Sequence, residues 1–258
     1  MSLMITAIPA FDDNYIWCLS RPGHDRVWVV DPGDAQPVLA FLQEHRLQLE
    51  GILITHHHSD HTGGIGQLKA QFEQLAVWGP DNPQIPGITL ALPDNEQRVL
   101  PGLDVTVRVL AVPGHTLDHL AYVCDGNLLC GDTLFSAGCG RMFEGTPEQF
   151  TRSLARLAEL PAQTKVYSAH EYTLSNLRFA GAVDAGNPVI AAYQQECEAL
   201  RAQGQPTLPS SMARELSCNP FLRLNDHHIR QALTQHWDQE ITDTVRAFAL
   251  LRRWKDNF

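Results

Sequence analysis

Residues 55–61 read Thr-His-His-His-Ser-Asp-His, and five of these seven side chains can bind a metal. Imidazoles crowded beside a carboxylate are costly to bury unless they are paired or coordinated. In an extended segment, residues two apart face the same side. His56 and His58 can therefore grip one ion, while Asp60 and His61, just beyond, can reach a second. His57 sits at the odd position and points away, into a supporting role. Three nitrogen donors and one carboxylate suit zinc, iron or manganese.

A two-metal site needs more ligands than one loop supplies, and three further candidates are placed like the first. Gly51–Thr55 reads as an apolar strand that runs into the histidine cluster. Val107–Val112 reads as another, broken by Pro113-Gly114 and followed by His115. Leu128–Cys130 is followed by Gly131 and Asp132, and Lys165–Ala169 by His170. Strand ends carried by one sheet can converge at one rim, where loops sit on a rigid scaffold.

Taken together, these motifs resemble the metallo-β-lactamase superfamily, and within it the glyoxalase II (hydroxyacylglutathione hydrolase) family. The resemblance is carried by residues 55–61, Pro113-Gly-His-Thr116, Gly131-Asp-Thr-Leu-Phe135, Gly138-Cys-Gly-Arg141, Glu144-Gly-Thr146, Ala169-His-Glu-Tyr-Thr173, Asn219-Pro-Phe-Leu-Arg223 and Arg252-Arg-Trp-Lys-Asp256. It implies an α/β fold, an αββα sandwich over residues 1–173, with a small all-α glutathione-binding domain over 174–258. It implies two divalent metal ions, zinc before iron or manganese. His56, His58 and His115 would hold one ion and Asp60, His61 and His170 the other, with Asp132 and a hydroxide bridging them. Asp60 and Asp132 are thereby the catalytic carboxylates. Substrate contacts would fall to Arg141, Phe143, Tyr172, Arg252 and Lys255. The implied reaction is hydrolysis of S-D-lactoylglutathione to glutathione and D-lactate, in methylglyoxal detoxification, and on this reading Arg252→Ala mainly weakens substrate binding. Three positions depart from the family pattern: Phe143 is often Tyr, Asp118 is often Gly, and Ser59 replaces a bulkier residue.

Composition narrows the alternatives. The 258 residues are 44% apolar, enough for a sizeable core in one large or two modest domains. No apolar run is long enough to span a membrane, and the start, Met1-Ser-Leu-Met-Ile-Thr, does not read as a leader. A net charge of −10 disfavours nucleic acid as a partner. It also makes the basic residues near the C-terminus informative, because glutathione thioesters carry carboxylates. Arg252 and Lys255 are neighbours on one helix face, and Phe248, Leu251 and Trp254 share another. The six cysteines form no C-x-x-C pair, which reads as reduced thiols in a cytoplasmic protein. Cys139 reads as packing rather than function. Nothing in the sequence demands more than a monomer. The rival readings are a persulfide dioxygenase-like oxidoreductase, another hydrolase of the superfamily, and a binding protein on a retired enzyme scaffold. A retired scaffold should have lost a ligand, and none is lost here.

Several elements are signalled locally. Thr146 and Gln149 predict a capping box with Pro147 at the first helical position and Phe150, Leu154 and Leu157 as the buried stripe. Asn187 and Pro188 open a helix that ends near Gly204. Asn225 is expected to cap a helix carrying Ile229 and Leu233, and a last helix to begin near Ile241. Pro206–Pro209 reads as a linker. Asp31 and Asp34, in Val29-Val-Asp-Pro-Gly-Asp34, are either carboxylates behind the metal ligands or stabilisers of a Pro-Gly turn.

Overall fold

β-branched residues concentrate in the first half of the chain, where they build two sets of strands. The structure is a computed structural model that describes residues 2–258. Met1, the first residue of the stretch read against a leader, lies outside them. Two units can be distinguished, Met1–Ala111 with Asp118–Gly131, and Val112–Leu117 with Asp132–Phe258.

In the first unit, β1 (Met4–Ala10), β2 (Asn14–Ser20) and β3 (Arg26–Val30) pair antiparallel. The chain then crosses through α1 (Ala35–His45) to β4 (Gln48–Leu53), which lies parallel to β3. A parallel return requires such a crossover. After α2 (Ser59–Thr62) and α3 (Ile65–Gln71), β5 (Ala76–Gly79) and β6 (Leu90–Ala91) extend the parallel side. The antiparallel run β7 (Gln97–Leu100), β8 (Val105–Ala111), β9 (Leu120–Cys124) and β10 (Asn127–Gly131) completes the unit. Val27, Val29, Ile52, Ile54 and Val77 pack with Val38 and Leu42 of α1 and Ile65 and Leu68 of α3. Each such side chain contributes ~1.5–3 kcal/mol on full burial. Trp28 occupies the opposite face of β3, and its ring lies where a Cβ on Gly51 would be, 2.5 Å away. Only glycine fits there.

The second unit is mainly helical. It contains the short hairpin β11 (Leu134–Phe135) and β12 (Gly138–Cys139), α4 (Pro147–Ala158), β13 (Lys165–Ser168), α5 (Thr173–Val183) and α6 (Pro188–Ala202). β14 (Ser210–Ser211), α7 (Met212–Cys218), α8 (His227–Trp237) and α9 (Thr244–Asp256) follow. The expected capping box at Thr146 and Gln149 is present, and Phe150, Leu154 and Leu157 are buried. Asn187 caps α6 with Pro188 in its first turn. Two expected boundaries are corrected. Asp226, not Asn225, caps α8, its carboxylate accepting from His228 N at 2.9 Å. Asp243 caps α9, so that helix begins three residues beyond Ile241. The seven-residue α7 is too short for its periodicity to be read from sequence. It carries Glu215, a fully buried carboxylate that accepts hydrogen bonds from Ala137 N (2.8 Å), Asn219 Nδ2 (3.0 Å), Ser136 and Ser210. These bonds hold the turn between β11 and β12.

All six cysteines are buried thiols. Among the described residues, no helix is long and apolar enough to cross a membrane.

Candidate metal centre

The histidine cluster of the first unit changes conformation at its middle. β4 ends at Leu53, and residues 54–58 run on without helical structure. His58, with φ −59° and ψ 146°, is the last extended residue before α2. The extended half brings His56 Nε2 within 3.0 Å of His58 Nδ1. The helical turn lets the consecutive residues Asp60 and His61 face one another, with Oδ2 and Nε2 3.3 Å apart. His57 turns away, as its odd position predicts, and its Nδ1 meets Asp118 Oδ1 at 3.0 Å.

Asp31 stands behind two of these histidines at once. It follows β3 in the left-handed region, at φ 54°. Its carboxylate accepts from Thr55 N and Thr55 Oγ1, both at 2.7 Å, and its Oδ2 lies 3.1 Å from His61 Nδ1. Thr55 Oγ1 in turn lies 3.0 Å from His56 Nδ1. A hydroxyl that has given its hydrogen to Asp31 accepts from His56 Nδ1, which leaves Nε2 of that ring as a lone pair for a metal, the usual work of a group behind a metal-binding histidine. Asp34 instead caps α1, accepting from Gln36 N at 2.9 Å. The two alternatives for this turn are therefore divided between its two aspartates.

In the second unit, Asp132 stands between two histidines. Its Oδ2 lies 3.4 Å from His115 Nε2 and its Oδ1 3.4 Å from His170 Nε2. His115 Nδ1 donates to the Arg141 carbonyl at 2.8 Å, which frees Nε2 on that ring as well. The His115 carbonyl accepts from Phe143 N and Glu144 N, fixing its loop.

These spacings fit metal ligands. Two atoms bound to one tetrahedral zinc at ~2.0–2.1 Å lie about 3.3 Å apart. The ligand-to-ligand distances in the two clusters run from 3.0 to 3.4 Å. The donors are nitrogen and oxygen only, which suits zinc, iron or manganese.

Comparison with known proteins finds two families, matched in turn along the chain. A family described as "Metallo-beta-lactamase superfamily" matches residues 15–170, and one described as "Hydroxyacylglutathione hydrolase C-terminus" matches residues 171–258. Proteins named hydroxyacylglutathione hydrolase from Shewanella baltica and Shewanella oneidensis are 52% and 53% identical, each alignment covering 99% of this chain and 100% of the relative. The chain belongs to the hydroxyacylglutathione hydrolase family. Solved structures give the fold. ETHE1 from Myxococcus xanthus matches at 21% identity and a TM-score of 0.65, covering 99% of this chain and 98% of that one. The BLEG-1 B3 metallo-β-lactamase matches at 20% identity and 0.65, covering 85% and 100%. The mixed α/β, metallo-β-lactamase fold expected from the sequence is thus the one observed.

The residues that the hydroxyacylglutathione hydrolase pattern assigns to substrate are placed unequally. Arg141 is 69% exposed. Phe143 is exposed and edge-on to His115, with ring centres 5.2 Å apart. Tyr172 stacks flat on His170 at 4.8 Å. Lys255 is half-buried, with its ammonium 5.2 Å from the centre of the Phe179 ring. Arg252 is only 4% exposed. Its Nη1 donates to the carbonyls of Cys139 (2.9 Å) and Gly140 (3.4 Å), and its Nε to Asp256 Oδ1 (3.1 Å). Cys139 is buried against that guanidinium, and burial pushes its thiol up to about 11. Ser59 is exposed as the first residue of α2.

Two buried groups near the first cluster escaped the sequence reading. The ring of His119 stacks on His56 at 4.6 Å, and Asn14 Nδ2 donates to Asp60 Oδ2 at 3.1 Å. Only the nearness of His119 to His115 in sequence could have drawn attention to it. Asn14 carries no local signal.

Gly131, immediately before Asp132, has φ 48°, and a Cβ there would lie 2.5 Å from Thr55 Oγ1 and 2.9 Å from the His119 ring. Gly131→Ala is expected to cost ~1–2 kcal/mol for the backbone alone and more for displacing Thr55. Thermal denaturation of the variant checks this, and an unchanged midpoint would contradict it.

Proposed function

We propose that this chain hydrolyses the thioester of S-(2-hydroxyacyl)glutathiones, typically S-D-lactoylglutathione, to glutathione and D-lactate. The observation that carries this reading is identity of 51–53% to relatives named hydroxyacylglutathione hydrolase, sustained over 99% of the chain. The two ligand clusters serve one binuclear centre, with His56, His58 and His115 on one ion, Asp60, His61 and His170 on the other, and Asp132 shared. In support, neither cluster alone has enough ligands for two ions, and the two oxygens of Asp132 face different imidazoles. Zinc fits the donor set first, with iron or manganese next.

Divalent ions bound here would lower the pKa of water toward ~7 and polarise the thioester carbonyl. The protein's own groups do the rest. Asp31 and Thr55 aim His56 and His61. Asp60, the more exposed of the two catalytic carboxylates, orients the attacking water. The leaving thiolate is a weak base and needs no dedicated proton donor. Residues 174–258 serve as the glutathione-binding region. Tyr172 contacts the peptide of the substrate, Phe143 lends it an apolar edge, and Arg141 and Lys255 meet its carboxylates in a chain that is otherwise acidic. Arg252 supports the same face from beneath by holding the end of β12 at Cys139 and Gly140. The reaction belongs to the cytoplasm, a reading supported by six cysteines that are all thiols.

Burial, aided by the neighbouring Arg252 charge, lowers Lys255 to about 8. Its ammonium is therefore lost as pH rises through that value, and KM for the thioester is expected to rise between pH 7 and 9. Lys255→Arg, which stays charged, should flatten that rise; KM profiles for the two proteins check it. For stability the sign is opposite. The cost of holding a buried ammonium is present below about 8 and fades as pH climbs toward the unfolded value, because the unfolded state then binds more protons.

The direct test is loss of the thioester absorbance of S-D-lactoylglutathione with metal-loaded protein, before and after chelation. A metal-loaded protein that leaves the thioester intact would overturn the proposal.

A further inference from the structure

Asp118 departs from the family pattern, and the structure places it directly behind the histidine cluster. It precedes β9 and uses both carboxylate oxygens. Oδ1 meets His57 Nδ1 at 3.0 Å, and Oδ2 accepts from Asn82 Nδ2 at 2.8 Å. The side chains of His57 and Asp118 are 12% and 11% exposed, so the pair is nearly removed from water. The Asn82 amide cannot turn over freely, because its Oδ1 accepts from Gln84 N at 2.9 Å. Its NH2 group is thereby aimed at Asp118. Three segments distant in sequence, at residues 57, 82 and 118, meet in one hydrogen-bonded chain.

His57 lies between the two residues whose nitrogens converge to 3.0 Å. In extended backbone, the direction of one side chain fixes the opposite direction of its neighbours. Anchoring the His57 ring on one side therefore aims His56 and His58 to the other. The far end of the segment is held separately, by Thr62 Oγ1 donating to the His58 carbonyl at 3.0 Å. We infer that Asp118, backed by Asn82, is a positioning residue that holds His57 so that His56 and His58 present their nitrogens to one divalent cation. This rests on the metal centre of the proposed function. Partners standing behind metal ligands typically account for roughly 10–100-fold in metal affinity.

The test measures Zn2+ affinity by chelator competition, well below each variant's melting temperature, for the wild-type chain, Asp118→Ala, His57→Ala and the double variant. Asp118→Ala should weaken Zn2+ binding roughly 10–100-fold. The double variant should be no weaker than the worse single one, because Asp118 acts through His57. A residue that merely stabilised the fold would lower the melting temperature of the metal-free protein and leave affinity unchanged; that result would overturn the inference. So would additive effects in the double variant. Asn82→Ala, which removes only the outer support, should shift affinity in the same direction by less, and it keeps the test open if Asp118→Ala does not fold. If the wild-type chain binds no Zn2+, the metal centre fails and the inference with it. If it binds Zn2+ and hydrolyses the thioester while Asp118→Ala binds equally well, only the inference fails.

Discussion

Asp132→Ala is expected to lose bound metal and turnover together. Asp132 is buried, and each of its oxygens stands 3.4 Å from a different imidazole nitrogen. Removing it leaves His115 and His170 without the group that joins them, so on the proposed assignment both ions would lose a ligand in one step. Even groups that act from behind a ligand account for roughly 10–100-fold in metal affinity. Loss of the shared ligand should therefore exceed about 100-fold, with catalysis falling at least as far. Asp132→Asn keeps the size and removes the charge, and it should fall between the two. Metal content after dialysis, measured beside steady-state rates, decides the matter. An Asp132→Ala enzyme that retains two metal equivalents and full rate would defeat the ligand assignment.

The second large effect is expected at Arg252. On the resemblance alone, its replacement mainly weakens substrate binding. Its position in the second unit adds a cost in stability. Arg252→Ala strips donors from the Cys139 and Gly140 carbonyls and leaves Asp256 with only the more distant Arg141, at 4.0 Å. It also removes a guanidinium lying 5.2 Å from the Phe221 ring. Hydrogen bonds to charged groups contribute ~1.5–3 kcal/mol each, so a total near ~3 kcal/mol is expected after relaxation. For a chain of this size that lowers the melting temperature by roughly 6–12 °C. The damage should also reach the candidate centre, because the next residue, Arg141, supplies the carbonyl that orients His115. A fall in kcat should therefore accompany the fall in stability. Arg252→Lys should rescue little, since an ammonium lacks the planar fork. A variant with unchanged melting temperature and only a raised KM would show that the buried contacts contribute little.

The elements that carry the candidate ligands were legible because each is announced locally. An apolar run ends, a glycine or proline breaks it, and a histidine or aspartate follows. This holds for His56, His115, Asp132 and His170. The capping box at Thr146 and the Asn187-Pro188 helix start were legible for the same reason, since the residues that interact lie within one turn. The role of Asp31 was legible only as one of two alternatives, because its partners Thr55 and His61 are 24 and 30 positions away and only sheet pairing brings them near. Asp118 was visible as a departure, but His57 and Asn82 could not be named as its partners. Arg252 shows a different failure. Positions 248, 251, 252 and 255 form one helical stripe, so the arginine shares the face of Phe248 and Leu251. It was read with Lys255 on a face apart from Phe248, Leu251 and Trp254, whereas the structure buries it.

The six sealed cysteines bear on how the protein tolerates its own chemistry. The proposed reaction liberates a thiol at every turnover, and thiols exchange with any accessible sulfur that is reactive enough. Burial raises Cys18, Cys124 and Cys197 to about 12, so almost none of these is in the nucleophilic form at neutral pH. With no cysteine at the surface, product can accumulate around the enzyme without becoming attached to it. The molecule is thereby suited to work unmodified when the surrounding glutathione pool turns oxidising.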